Sequence, residues 1–297
     1  MSRTAYDQPQ ISFDAQLALL KSEGLGFGDE TKAKHLLRNI SLFRMKSYLN
    51  VLRRPGEKRF ASGATFEQAY TLYKFDSELR KLICSELEKI EVSIRTQLSY
   101  TLSDTAGIYW FVDSGNFRDG AAHSSLITKL QQELRRSDDE AIVAFGMNYS
   151  NPFPPSWTAM EITSFGTLSM LFRHLRAGHG RRNVAWFYGV ADTVFESWMH
   201  SLVYVRNICA HHSCLWNRKM RISPLQPRRT SSPFLTHPCS NSRVYYVLCI
   251  ILYLLRAVNP ENSLPRRFKA LINKYPNVDT AAMGFPPNWK DEPLWAD

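Results

Sequence analysis

From Phe66 to Ser103 the chain holds one period without a break. Leu79, Leu82, Ile83, Leu87, Ile90, Ile94 and Leu98 recur every three or four residues, the spacing that gathers apolar side chains on one stripe of an α-helix. Thr65, just ahead of the run, is placed to cap it. A stripe this long has to face a core, and the rest of the chain offers helices to build one. Helical spacing recurs over 12–23, 31–53, 125–136, 157–176, 190–210, 242–258 and 264–274. Between these runs lie breakers: "RPGEKRFASGAT" at 54–65, a Gly/Asp/Asn-rich loop over 104–124, the extended "NYSNPFPPS", and 219–241 with four prolines. No apolar/polar alternation and no repeat at a fixed period appears. The expectation is an all-α fold: a basic helical segment over 1–60, a helical domain over 61–220, and a loop plus C-terminal helices over 221–297 that pack on the bundle.

Hydrophobic residues make up 44% of the 297, enough for a sizeable core. Lys and Arg number 37 against 27 Asp and Glu, a net charge of +10, which favours an anionic partner such as nucleic acid. Five cysteines at 84, 209, 214, 239 and 249 do not form a disulfide framework and point to a reducing compartment. "MSRTAYDQPQISFDAQLALL" lacks the apolar core of a secretory signal. "VYYVLCIILYLL" at 244–255 is shorter than the ~20 residues a membrane span needs. The expectation is a cytoplasmic protein with no membrane partner.

One stretch concentrates chemistry. "RNICAHHSCLWNR" at 206–218 follows an apolar helical segment whose Phe195, Trp198, Met199, Leu202, Val205 and Cys209 share a face. Asn207 and His211 are four apart, so they project about 40° from each other on one side. Arg206 lies about 100° from Asn207, and its long side chain can swing toward His211. An arginine and a histidine converging on one point suit phosphoryl transfer. The imidazole can move a proton at a ribose 2′-hydroxyl, and the guanidinium can hold non-bridging oxygens as charge builds. Asn207 can orient either. The plainer reading is a helix end whose Arg and His cap carbonyls and complement the dipole. The residues alone leave both open.

"RNICAH" resembles the Arg-polar-x-x-x-His signature of the HEPN superfamily of helical RNases. The wider match is to the Abi-type abortive-infection proteins (AbiD/AbiF-like) within it. Four blocks carry the resemblance in the family's order: "LRNISLFRMKSYLNVLR" at 37–53, "FEQAYTLYKFDSELRKLICSELEKIEVSIRTQLSYTL" at 66–102, "PSWTAMEITSFGTLSMLFRHL" at 155–175 and "RNICAHHSCLWNR". The resemblance implies a HEPN-like helical bundle carrying a metal-independent endoribonuclease for antiphage defence. It assigns Arg206, Asn207 and His211 to catalysis. Members of the superfamily pair two such motifs across an interface. This chain carries one, which implies a homodimer. A relation to ancestors of RNA-guided effectors implies a bound structured non-coding RNA beside the RNA substrate. The superfamily also holds proteins that cut nothing, so the alternative is a catalytically silent protein that binds RNA or a partner protein.

Other residues take supporting roles in this expectation. Glu88, Glu91 and Arg95 sit at i, i+3, i+7 on the polar face of the long helix, either as a solvated face or as supports behind Arg206 and His211. His212 is read as holding the helix end. Asp76 and Arg80, four apart, read as a structural pair, and Trp157, Phe165 and Gly166 as packing. Lys34, Arg38, Arg44, Lys46, Arg53 and Arg54 form the expected RNA-backbone track, since phosphate contacts need charge but not sequence. Arg228–Arg229 and Arg266–Arg267–Lys269 extend it. Cys209, His211, His212 and Cys214 lack the second ligand doublet that structural zinc requires, and no phosphate-binding Gly loop or Gly-x-Ser-x-Gly elbow is present. No metal and no cofactor is expected.

Overall fold

The computed structural model describes residues 9–296; the first eight residues of the stretch read for a secretory signal, and Asp297, lie outside them. Among the described residues there are twelve α-helices and no sheet, only isolated bridges such as Gly26–Thr65. The chain is all-α, and two compact units divide it.

The first unit takes the described residues through Leu79 together with Leu271–Val278. Its helices are α1 (Phe13–Ser22), α2 (Glu30–Ile40), α3 (Leu42–Leu49) and the opening turns of α4 (Phe66–Ala106). Side-chain caps start them. Ser12 Oγ accepts from the Ala15 amide at 3.1 Å, and Asp29 Oδ1 from that of Lys32 at 2.9 Å. At α4 the cap is reciprocal: Thr65 Oγ1 takes the Gln68 amide while Gln68 Oε1 takes the Thr65 amide, a capping box that satisfies two otherwise orphan donors. Leu17, Leu37, Met45, Leu49, Phe66 and Phe75 fill the interior. The buried Asp76 takes the Tyr48 hydroxyl at 2.7 Å. Lys274 and Tyr275 return to the unit by binding Glu78.

The second unit holds Arg80–Ala270 and the described residues from Asp279 onward. After the remainder of α4 come α5 (Gly120–Arg136), α6 (Glu140–Asn148), α7 (Ser156–Ala159), α8 (Phe165–His174), α9 (His179–Phe187), α10 (Asp192–Ala210), α11 (Val244–Val258) and α12 (Leu264–Lys274), whose last turn belongs to the first unit. The α4 stripe residues Leu82, Ile83, Leu87, Ile90, Ile94 and Leu98 are all buried. Helix α8 packs between α5 and α10, and α10 also meets α9 and α11. Every residue from Val244 to Leu255 is buried. That accounts for the membrane-like composition of this stretch: a helix that is apolar all round belongs at the centre of a core. No helix among the described residues is long and apolar enough to cross a membrane. Tyr245, Phe268, Phe285, Trp289 and Trp295 cluster ring against ring and hold the C-terminal segment.

Several boundaries differ from expectation, each for a local reason. The run 31–53 is broken at Ser41, whose φ of +70° ends α2 and whose hydroxyl caps α3 through the Arg44 amide. The run 157–176 is interrupted between α7 and α8, where Arg95 donates to the carbonyls of Met160, Glu161 and Thr163. Helix α5 begins inside the expected 104–124 loop because Asp119 accepts from two amides there. Helices α6 and α9 carry no apolar stripe that the sequence exposed. The division between the two compact units falls within α4, and Phe66 and Phe75 are buried in the first.

Candidate functional site

Helix α10 buries Val194, Phe195, Trp198, Met199, Leu202, Val205, Ile208 and Cys209, and the Trp198 indole ties down the following loop by donating to the Leu225 carbonyl at 2.9 Å. The helix then stops abruptly. His211 caps it, His212 adopts φ +55°, and the amides of His212 and Ser213 turn back to the carbonyls of Cys209 and Ile208, each at 3.0 Å. This is a Schellman closure, normally built on glycine. Here a histidine occupies the left-handed position, where a Cβ is strained. His212 thus holds the helix end through its backbone.

Opposite the buried face, Asn207 and His211 are exposed and Arg206 is half-buried. Arg206 Nη1 donates to Asn207 Oδ1 at 3.3 Å, and Arg206 Nη2 stands 3.7 Å from Glu91 Oε2. The other oxygen of Glu91 is taken by Arg95. Arg95 in turn donates to the carbonyls of Met160, Glu161 and Thr163 at 2.5, 2.7 and 2.6 Å. A chain of contacts therefore runs from the α7–α8 turn through Arg95 and Glu91 to Arg206. Glu91 and Arg95 are 13% and 12% exposed at the side chain, against 38% for Arg206. The pair is a scaffold; the guanidinium of Arg206 is the part that meets solvent. Arg80 Nη1 donates to the Ser213 carbonyl at 3.2 Å and fixes the exit from α10.

The structure brings together Arg206, Asn207, Glu91 and Arg95, with His211 one helical turn beyond Asn207. Among the described residues no hydrogen-bond partner orients the His211 imidazole. Glu88, expected as a support, is exposed and makes no ion pair among the described residues: position 88 lies beyond the reach of the Glu91–Arg206 contact. Trp157, expected to pack, is 40% exposed, while Phe165 is buried and Gly166 lies against Val203. No metal-ligating cluster of three His, Cys, Asp or Glu side chains occurs among the described residues.

The expected basic track lies in the first unit and is only partly open. Lys34 is paired with Asp14. Arg53 is drawn inward, bound to Glu23 at 2.7 Å and stacked 4.2 Å over the Phe60 ring, which removes it as a phosphate ligand. Arg38, Lys46 and Arg54 are exposed and Arg44 is half-buried. Phe43, 86% exposed, stands among them.

Two features escaped the sequence reading. The buried Arg181 pairs with Asp192 and Glu196 at 2.8 and 2.6 Å and caps the C-terminal carbonyls of α8; the sequence shows only one arginine among many. The Cys84 thiol lies beside Cys209, which donates a hydrogen bond to it, and beside Arg206 and Arg80; together they pull it down to about 7 against the opposing effect of burial. A cysteine on a helix face carries no mark of its neighbours.

A family model described as Abi-like protein matches residues 35–217, a span that contains the Arg206–His211 cluster, the Glu91–Arg95 pair, the latter half of α2 and all of α3. No curated protein and no solved structure matches the chain.

Proposed function

The chain belongs to the Abi-like family, which points to abortive infection as a defence against phage, and from that premise we propose that it is a metal-independent endoribonuclease of the HEPN kind. One observation carries the reading: at the end of a deeply buried helix, Arg206, Asn207 and His211 face outward, and Arg206 is held from behind by a carboxylate that is itself fixed. A bare helix end needs no such support. In this reading Arg206 binds the scissile phosphate and Asn207 aligns it. His211 accepts the ribose 2′-hydroxyl proton or returns a proton to the leaving oxygen. The 2′-oxygen forms the new bond to phosphorus as the 5′-oxygen departs, leaving a 2′,3′-cyclic phosphate.

Within one chain no described residue orients the His211 imidazole, and a single arginine surrounds only half of a phosphate. Two copies meeting at the ends of α10 supply two arginines and two histidines, through an isologous contact in which each motif meets its counterpart. We infer a homodimer. With +10 on each chain, a bound polyanion relieves the repulsion and favours it. Exposed Arg38, Lys46 and Arg54 supply backbone contacts for the substrate or for a structured RNA. The test is incubation of the pure protein with end-labelled single-stranded RNA in EDTA. Cleavage with cyclic-phosphate ends supports the reading. Tight RNA binding without cleavage, at concentrations where light scattering shows a dimer, would favour a silent RNA-binding protein instead.

A further inference from the structure

We propose that Cys84 and Cys209 are a peroxide-responsive thiol pair, closing to a disulfide that staples α4 to α10 beside Arg206. The register of the two helices places them together. Arg206 meets Glu91 at 3.7 Å, and further along Arg80 reaches the Ser213 carbonyl at 3.2 Å, so α4 and α10 run antiparallel between these two contacts. Cys84 lies between Arg80 and Glu91 on α4; Cys209 lies between Arg206 and Ser213. Cys209 is the largest influence on the Cys84 thiol and lowers it, and neither cysteine is in a disulfide.

The two positions divide the labour. Cys209 is only 3% exposed, while Cys84 is partly open, so an oxidant reaches Cys84 first. Its thiolate is favoured by the Cys209 hydrogen bond and by the Arg206 and Arg80 guanidinium groups. The competing thiols are disfavoured: burial and Glu292 raise Cys239 to about 11, and burial raises Cys249. Hydrogen peroxide is the oxidant. The Cys84 thiolate attacks one peroxide oxygen, giving Cys84–SOH and hydroxide. The Cys209 sulfur, losing its proton, then attacks the Cys84 sulfur and displaces a second hydroxide. Two thiols and one peroxide thus become one disulfide and two waters, and a dithiol reverses the change. If the nuclease reading holds, on which this consequence alone rests, the bond removes the anion facing Arg206 and locks the two helices that frame the motif.

The experiment is a thiol map of the full-length protein. Reductant is removed, hydrogen peroxide is added at one equivalent, free thiols are alkylated, and a non-reduced digest is read by mass spectrometry. The expected result is a linked Cys84–Cys209 peptide two hydrogens lighter than its parts, with two of the five thiols lost and recovered by dithiothreitol. Cys84 should react on the order of a hundredfold faster than Cys239, after allowing for the weaker nucleophilicity of a more acidic thiol. In Cys209→Ala, dimedone should trap Cys84 as a sulfenic acid. A chain that keeps both thiols free, or that links Cys84 to Cys214 or to a second chain, overturns the proposal. The map is read without RNA, so a missing cross-link counts against the thiol pair alone, and a failure to cleave RNA counts against the nuclease alone.

Discussion

Replacing Arg95 with alanine removes one guanidinium that binds four acceptors: the carbonyls of Met160, Glu161 and Thr163, and the Glu91 carboxylate. The Met160 carbonyl keeps the Thr163 amide at 3.2 Å, and Glu91 keeps Arg206 at 3.7 Å. Both members of the ion pair are mostly buried, so water replaces these bonds poorly. Breaking a buried pair by deleting one partner costs about 3–5 kcal/mol when the remaining charge is left without compensation; Arg206, 3.7 Å from Glu91 and partly in solvent, offsets a share of that cost here. The donors lost at the Glu161 and Thr163 carbonyls add to the cost. Glu91→Gln keeps an acceptor for Arg95 and should cost only about 1–2 kcal/mol. Urea unfolding of wild type and both variants, followed by circular dichroism, measures the difference. Arg95→Ala should lower the midpoint strongly and Glu91→Gln mildly. If Arg95→Ala unfolds within about 0.5 kcal/mol of wild type, the range expected of ordinary surface changes, then Arg95 does not clamp the α7–α8 turn, and the support inferred for Arg206 fails with it.

Three further outcomes are expected. His212→Val should cost about 1–3 kcal/mol in chemical denaturation, since a β-branched side chain is strained at the left-handed φ of +55°. Gly189→Ala should cost about 1–3 kcal/mol by the same measurement, because a Cβ there would stand 1.9 Å from Ser231 Oγ at a φ of +70°. Iodoacetamide labelling of Cys84, read by peptide mass, should rise through about pH 7 rather than near the ordinary thiol value of 9.0; the thiolate is the reactive form, so labelling fades as pH falls below that midpoint. Cys209→Ala should move the midpoint up further than Arg206→Ala, as the hydrogen bond from Cys209 is the larger influence.

Apolar periodicity carried the fold as far as it could. The α4 stripe and the buried face of α10 were legible residue by residue, because each commits seven or more positions to one side of a helix. Helix α6 was not, since none of its residues is buried and no stripe exists to read. Helix α9 was obscured by Arg181, a charged residue in a core position that only its partners Asp192 and Glu196 explain. Ser41 hides its break for another reason: it adopts positive φ, where the sequence reader looks for glycine. At the candidate site helical spacing placed Asn207 and His211 on one side and gave the Glu91–Arg95 pair, whereas Arg206, expected to swing toward His211, contacts Asn207 and Glu91. That Glu91 reaches across to Arg206, that Glu88 does not, and that Arg53 turns inward to Glu23 are tertiary facts. Spacing along one helix cannot supply them.

The central claim is that His211 and Arg206 perform the cleavage, and single-turnover rates on one RNA in EDTA test it most directly. Wild type, Arg206→Ala, His211→Ala and His212→Ala should be compared at saturating protein. Loss of the general acid–base group should slow cleavage by ~10²–10⁴-fold in His211→Ala, with a comparable loss in Arg206→Ala, RNA affinity nearly intact, and His212→Ala retaining much more activity. Mixing Arg206→Ala with His211→Ala protein should restore part of the rate through heterodimers carrying one intact arginine and one intact histidine. Wild-type speed in His211→Ala, or cleavage that appears only when Mg²⁺ is supplied, would contradict the account.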